Sequence, residues 1–220
     1  MIYKRITLLC GHYGSGKTNI AVNMAYDLKK QNEKVLIADL DIVNPYFRTK
    51  DSAGEFEDLG IRLICSEYAG SNVDIPAMPQ QIYSITDNKD QMCIIDVGGD
   101  DRGALALGRI SDAIKQENNY EMIFVINCYR PLTRDAESTI EVMREIEEAG
   151  KIKFTAIINN SNLGEETEPS HIIKSLDYAN EISQITGLPI ICTAVDSKVY
   201  DGVKDIIPNA FPLKLQTKIN

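Results

Sequence analysis

The stretch that decides the fold is Gly11-His12-Tyr13-Gly14-Ser15-Gly16-Lys17-Thr18, near the start of the chain. It matches the pattern G-x-x-x-x-G-K-[ST] at every fixed position. The apolar run Ile6–Cys10 precedes it, and apolar residues at helical spacing follow it between positions 20 and 28. The sequence therefore predicts a strand, a glycine-rich loop and a helix in that order, which is the context that this pattern requires.

The residue types of this loop suit the binding of phosphate. Glycine lets the backbone turn tightly and brings its N–H groups close to phosphate oxygens, where a Cβ atom would obstruct them. The positive end of the following helix points at the same anion, Lys17 adds a charge for the β and γ phosphates, and the hydroxyl of Thr18 is placed to hold Mg²⁺. The residues predicted to bind the nucleotide here are Gly11, His12, Tyr13, Gly14, Ser15, Gly16, Lys17, Thr18 and Asn19.

Composition narrows the class of protein. The 220 residues include 23 Lys and Arg against 32 Asp and Glu, which gives a net charge of −9. This charge argues against unassisted binding to DNA or to an anionic membrane. The five cysteines are scattered and lie mostly in apolar runs, so we expect reduced core residues. We see neither a signal sequence nor an apolar run of the roughly 20 residues needed to span a bilayer, and we expect a cytoplasmic protein without a membrane anchor.

Strand-like and helix-like segments alternate along the rest of the chain. Seven apolar runs predict strands, at 6–10, 34–39, 61–65, 91–96, 122–127, 154–159 and 189–193. Helical patterns cover 76–86, 103–117, 134–149 and 169–186. Continuously apolar strands indicate burial on both faces, hence a mainly parallel sheet of about seven strands in a three-layer, doubly wound α/β domain that takes in residues 1–220. We expect the last dozen residues to form a surface tail.

Polar residues follow three of these strands, where ligands bind in such sheets. Asp39 and Asp41 end the second strand. Asp96 begins a D-x-x-G pattern at the end of the fourth, in which the carboxylate can hold a Mg²⁺-bound water and Gly99 can meet the γ phosphate. Asn159 ends the sixth strand, where its amide can pair with a base through one donor and one acceptor.

Together these motifs resemble those of the MinD/ParA (SIMIBI) class of P-loop ATPases, the CobQ/CobB/MinD/ParA nucleotide-binding domains. This class also includes the nitrogenase iron protein. The resemblance covers nearly the whole chain. It implies that Lys17 and Thr18 contact phosphate and Mg²⁺, that Asp41 positions or activates the attacking water, and that Asp96 lies beside the Mg²⁺. Thr18, Asp41 and Asp96 are thus the predicted metal-site residues. It also implies that Gly99 senses the γ phosphate, that Asn159 recognises adenine, and that two copies form an ATP-dependent dimer.

One position departs from that family. Its phosphate loop usually begins K-G-G, and the first lysine reaches across the dimer to the partner's phosphates. Here His12 and Tyr13 occupy these positions. A neutral histidine can donate a hydrogen bond but supplies no permanent charge. Arg48 or Arg102 is a candidate source of that charge, and the alternative for His12 is an ordinary solvent-facing loop residue.

The main hypothesis is a Mg²⁺-dependent ATPase that acts as a nucleotide-dependent switch on an unidentified protein partner or on its own second copy. ATP is preferred to GTP because Asn160, rather than the lysine of an N-K-x-D guanine site, follows Asn159. The first alternative is an ATP-dependent small-molecule ligase or kinase resembling dethiobiotin synthetase, with residues 66–81 building the second pocket. The second alternative is a nucleotide-binding interaction protein that scarcely hydrolyses.

Overall fold

The computed structural model describes residues 1–32, 34–41, 49–65, 80–99, 101–207 and 209–215, apart from the side chains of residues 80, 101 and 102. The strands are β1 (Ile6–Cys10), β2 (Val35–Leu40), β3 (Ile61–Ile64), β4 (Met92–Val97), β5 (Tyr120–Ile126), β6 (Ala156–Asn159), β7 (Ile190–Asp196) and β8 (Ala210–Leu213). The α-helices are α1 (Lys17–Lys29), α2 (Ala53–Leu59), α3 (Ser84–Asp87), α4 (Asp101–Gly108), α5 (Ser111–Glu117), α6 (Ala136–Gly150), α7 (Pro169–Thr186) and α8 (Ser197–Tyr200).

The eight strands form one sheet in the order β3-β2-β4-β1-β5-β6-β7-β8, and every neighbouring pair is parallel. The first strand lies between β4 and β5, so the chain leaves it towards one side of the sheet and later crosses to the other. Doubly wound sheets bind ligands in the crevice beside such a reversal, beyond the carboxyl ends of the strands. The glycine-rich loop follows β1 and therefore opens into this crevice.

Both faces of the sheet are buried, because successive side chains of a strand point to opposite sides. Leu9 of β1 packs in one apolar cluster with Ile20 and Met24 of α1. Leu8, its neighbour, packs in the other cluster with Ile140 and Met143 of α6. The predicted three-layer α/β fold with a parallel sheet is confirmed.

The strand count and the end of the chain differ from the prediction. An eighth strand, β8, pairs with β7 along Thr193 to Asp196, within the stretch expected to be a surface tail. The cause is a tertiary contact. The side chain of Asn23 in α1 accepts a hydrogen bond from Lys214 N and donates one to Lys214 O, both at 2.9 Å, and so fixes the end of β8.

The helix predicted over 103–117 is interrupted. It forms α4 and α5, and the backbone N–H groups of Arg109 and Ile110 between them bond three residues back instead of four. Gly108, a poor helix former, ends α4 at this point. Of the helix predicted over 76–86, positions 80–83 form a 3-10 helix and Ser84–Asp87 one α-helical turn, while 76–79 lie outside the described residues. The helix predicted over 169–186 coincides with α7.

Candidate nucleotide-binding site

The glycine-rich loop joins β1 to α1 in the predicted context. Gly16 caps the helix at φ 89°, a left-handed conformation that favours glycine. Among the described residues, no side chain caps the first turn. No acidic residue lies in that turn. The N–H groups that begin α1, together with the positive end of its dipole, are therefore available to an anion.

Lys17 is the buried cation of the loop. Its side chain is only 4% exposed, and Nζ donates to the carbonyl oxygen of His12 at 3.3 Å. The ammonium group thus lies over the glycine-rich loop, at the place where phosphate oxygens would enter. Ser15, in the same loop, has a buried hydroxyl oxygen that finds no hydrogen-bond partner among the described residues.

The surroundings of His12 favour its uncharged form. Burial lowers the pKa of His12, and the nearby charge of Lys17 lowers it further against the opposing effect of the hydrogen bond to Tyr13. Nδ1 of His12 lies 2.9 Å from Tyr13 O, and since a carbonyl only accepts, this nitrogen carries the proton. Tyr13 itself is exposed. His12 therefore supplies no permanent charge to this loop.

Three aspartates gather beside the loop. Asp39 and Asp96 are register partners across β2 and β4, and Asp41 N donates to Asp39 Oδ1 at 2.9 Å. Thr18 Oγ1 donates to Asp96 Oδ2 at 2.7 Å, while Asp96 Oδ1 is buried and has no hydrogen-bond partner in the described part of the chain. Burial raises the pKa values of Asp39 and Asp96, and repulsion within the group adds to this.

These carboxylates fit a divalent cation. An orphaned buried carboxylate oxygen, a threonine hydroxyl and neighbouring acidic groups are the oxygen donors that Mg²⁺ prefers, and Mg²⁺ usually takes its remaining ligands from water and phosphate. Among the described residues, no three His, Cys, Asp or Glu side chains converge as a complete metal-ligand set. The arrangement therefore suits a Mg²⁺ ion that arrives with a nucleotide better than a permanent metal centre.

Gly99 brings the loop after β4 against the glycine-rich loop. A Cβ atom added at Gly99 would lie 2.6 Å from Tyr13 N and 2.8 Å from Gly11 O. Real Cβ atoms do not approach this closely, so the two loops touch backbone to backbone. Asp96 and Gly99, predicted from one motif, are thus placed at the same loop as Lys17 and Thr18.

The asparagine pair after β6 divides its contacts. Asn160 Nδ2 donates to Ser15 O at 2.6 Å and so supports the glycine-rich loop. Asn159 is fully buried; its Nδ2 donates to Ser175 Oγ at 2.8 Å and its Oδ1 accepts from Ser161 N at 3.2 Å. Recognition of a base by Asn159 stays a prediction. To bind a base, its amide would have to give up its hydrogen bonds to Ser175 and Ser161.

Arg130 is a site residue that the sequence analysis did not single out. It lies in the loop after β5, and its Nε donates to Gly14 O at 2.8 Å. The available signal was a polar residue after a strand, but only the structural order shows that β5 neighbours β1. Of the cations that were named instead, Arg48 lies outside the described residues, as do residues 66–79 of the suggested second pocket. Arg102 is described by its backbone alone.

A comparison with protein families now gives this geometry its context. The model of the CobQ/CobB/MinD/ParA nucleotide binding domain matches residues 6–171. The chain belongs to this family. The match extends from β1 to the first turn of α7 and includes every site residue described above. A comparison with curated protein sequences gives no match.

Several solved structures resemble this member of the CobQ/CobB/MinD/ParA family in fold. The cell division protein FtsY of Thermotoga maritima is 17% identical with a TM-score of 0.55, covering 86% of this chain and 61% of its own. FlhF complexed with GTP/Mg(2+) is 14% identical with a TM-score of 0.55, covering 86% and 64%. The 54 kDa signal recognition particle protein of Aeropyrum pernix in complex with GDP is 18% identical with a TM-score of 0.51, covering 84% and 40%.

The chain spans less than two thirds of the length of these structures, and at such identities the likeness is one of fold. Within the described part of the chain, no helix has both the length and the apolar character to cross a bilayer. What stands is a nucleotide-binding P-loop NTPase domain of the SIMIBI class.

Proposed function

We propose that the protein is a Mg²⁺-dependent ATPase whose bound nucleotide sets the conformation of residues 41–50 and 97–103, and thereby its affinity for a partner. The observation that carries this proposal is the hydrogen bond from Thr18 to Asp96. It joins the first turn of α1, next to the phosphate-binding loop, to the end of β4, and the other Asp96 oxygen is buried with no hydrogen-bond partner among the described residues. That oxygen could bind a cation. We treat residues 1–220 as one functional domain.

Each residue has a role that follows from its place. Lys17 neutralises charge on the β and γ phosphates, and Gly99 offers its backbone N–H to the γ phosphate. Asp41, buried beside Asp39, orients the attacking water. Thr18, Asp41 and Asp96 would hold Mg²⁺, which when bound draws negative charge from the phosphate oxygens. Phosphoryl transfer of this kind depends mainly on positioning and electrostatic stabilisation.

Adenine is the base that we propose, with Asn159 as its recognition residue. Two observations make guanine the competing candidate. The amide of Asn159 already bonds to Ser175 and Ser161. In addition, two neighbours in fold, FlhF and the signal recognition particle protein, are described with GTP and GDP. Both nucleotides therefore belong in every assay of this protein.

A second copy of the chain is the partner that the exposed residues around the site favour. Tyr13, Leu132 and Leu163 are apolar or aromatic side chains that are 48%, 60% and 36% exposed. They lie on the loops that follow β1, β5 and β6, three adjacent strands. A surface that gathers such side chains around a nucleotide site suits closure by another protein chain.

The test is phosphate release by the purified protein with Mg-ATP and with Mg-GTP, together with its molar mass by light scattering in each nucleotide state. Lys17→Ala is the control. Release that needs no added substrate, is lost in this variant and accompanies an ATP-specific doubling of mass is the expected result. Tight binding without release and without a change of mass would contradict the switch ATPase and favour the ligase or the non-hydrolysing alternative. Faster release from GTP would reassign the base.

A further inference from the structure

The loop after β5 presents Arg130 to the phosphate-binding loop from a fixed backbone. Asn127, fully buried at the start of this loop, accepts hydrogen bonds from Tyr129 N at 3.0 Å through Oδ1 and from Thr133 Oγ1 at 2.8 Å through its carbonyl. Arg130 N also bonds to Asn127 O at 3.3 Å. The base of the Arg130 side chain is therefore held in position before any ligand binds.

The guanidinium group of Arg130 lies against Gly14. A Cβ atom added at Gly14 would lie 3.5 Å from Arg130 Nε, and this nitrogen donates to the Gly14 carbonyl at 2.8 Å. A separation of 3.5 Å is an ordinary van der Waals distance, so the guanidinium group packs directly against Gly14. In the described part of the chain, Arg130 forms no ion pair with a carboxylate, and the hydrogen bond to Gly14 uses one of its five donors.

The charge balance of the site leaves a role for this cation. A nucleoside triphosphate brings three to four negative charges, and Asp39, Asp41 and Asp96 lie beside it. In the loop itself Lys17 is a cation, whereas burial lowers the pKa of His12 and so favours the uncharged form of its ring. Arginine keeps its charge at any physiological pH, and its planar group can bond two phosphate oxygens at once.

We propose that Arg130 is the second cation of the phosphate site: it holds the Gly14 carbonyl through Nε and gives its Nη groups to the phosphates of the bound nucleotide. It thereby supplies the charge that His12 lacks. The inference rests on the proposed function, because it presumes that a nucleotide binds. The ligand chemistry is the di- or triphosphate chain, whichever base is attached.

The test compares nucleotide affinity in Arg130→Gln, Arg130→Lys and the matched control Arg134→Gln. Arg134, four residues further on, is 79% exposed and pairs with the exposed Asp135. Calorimetric titration uses Mg²⁺ with ADP and with non-hydrolysable analogues of ATP and GTP, at two salt concentrations. Arg130→Gln is expected to raise Kd about tenfold and to flatten its salt dependence, whereas Arg134→Gln changes Kd less than twofold. Arg130→Lys is expected to recover part of the affinity, since it restores the charge but not the planar group.

The outcomes separate the inference from the proposed function. If the wild type binds none of the nucleotides, the proposed function fails first. If the wild type binds and Arg130→Gln equals Arg134→Gln, the inference is overturned. A loss of affinity with an unchanged salt dependence, and with no recovery in Arg130→Lys, also overturns it, because Arg130 would then act only by supporting Gly14. Should Arg130→Gln fail to fold by circular dichroism, the uncharged variant Arg130→Met takes its place in the same comparison with Arg134→Gln.

Discussion

At the scale of single residues, the site stores electrostatic repulsion. Asp96 is fully buried, and one of its oxygens has no hydrogen-bond partner among the residues that the structure describes. Asp39 lies opposite it on the next strand. Folding without a ligand therefore removes this carboxyl group from water, and the hydrogen bond from Thr18 and the charge of Lys17 compensate only in part. Such groups are retained for binding at a cost in stability.

Asp96→Asn is expected to make the free protein more stable at neutral pH. The folded-state pKa of Asp96 is raised above its ordinary value of about 3.9. Its contribution to stability is therefore full below that value and is lost as the pH rises through the folded pKa. Asparagine does not titrate, so the advantage of the variant grows with pH and reaches about 1 kcal/mol or more by pH 8. Urea unfolding of both proteins from pH 5 to 8, without nucleotide, measures this difference.

The same variant is expected to lose Mg²⁺-dependent nucleotide affinity, since it removes the charge that faces the cation. Asp112→Asn is the control, because Asp112 is exposed and pairs only with Lys115 among the groups described. A variant that is no more stable than the wild type at any pH would show that Asp96 is ionised without cost.

At the scale of elements, the last strand is fastened to the helix that carries the phosphate-binding loop. Asn23 lies in α1 and is 8% exposed. Its side chain bonds to both the N–H and the carbonyl of Lys214, as a neighbouring strand would. Two hydrogen bonds therefore tie the end of β8 to the first helix.

Asn23→Ala is expected to lower the free energy of unfolding by about 1–3 kcal/mol, because it leaves two backbone groups and the Asn19 carbonyl without this partner. Asn32→Ala is the control, since Asn32 follows α1 and bonds only to Leu28 O among the described contacts. Urea unfolding gives the stability, and hydrogen exchange of Ala210–Leu213 locates the loss. Equal effects of the two substitutions, or unchanged exchange in β8, would show that Asn23 does not hold this strand.

The elements also show which features a sequence can predict. The loop from Gly11 to Thr18 was predictable because phosphate chemistry restricts its residue types, and the buried strands because apolar runs are required on both faces of a covered sheet. Arg130 and β8 were not, since each depends on a neighbour distant along the chain. The break between α4 and α5 at Gly108 was not predicted, because helical periodicity continues on both sides of it.

At the scale of the whole molecule, the phosphate loop and the exposed side chains of Tyr13, Leu132 and Leu163 all lie at the carboxyl ends of the strands. Ile185, 58% exposed at the end of α7, lies near the amino end of β7, on the opposite side of the molecule. Leu132 and Ile185 thus offer a matched comparison for the proposed nucleotide-dependent dimer.

Leu132→Asp is expected to abolish the ATP-dependent doubling of mass while leaving the nucleotide Kd within about threefold of the wild type, because it places a charge in the proposed interface. Ile185→Asp should leave the doubling intact. Light scattering with a non-hydrolysable ATP analogue, beside calorimetric titration, measures both properties. If the molar mass still doubles in Leu132→Asp, or if both variants abolish the doubling alike, the interface lies elsewhere.

The contact at Gly99 has a mechanical consequence. Side chains in contact can absorb a small displacement by changing rotamer, but two stretches of main chain at van der Waals distance have no such slack. The loop that faces the phosphates and the loop that leads into α4 are therefore without clearance between them, and a shift of either is imposed on the other. Within the proposed switch, the loss of one phosphate would reach the α4 surface as a displacement and not as a change of charge.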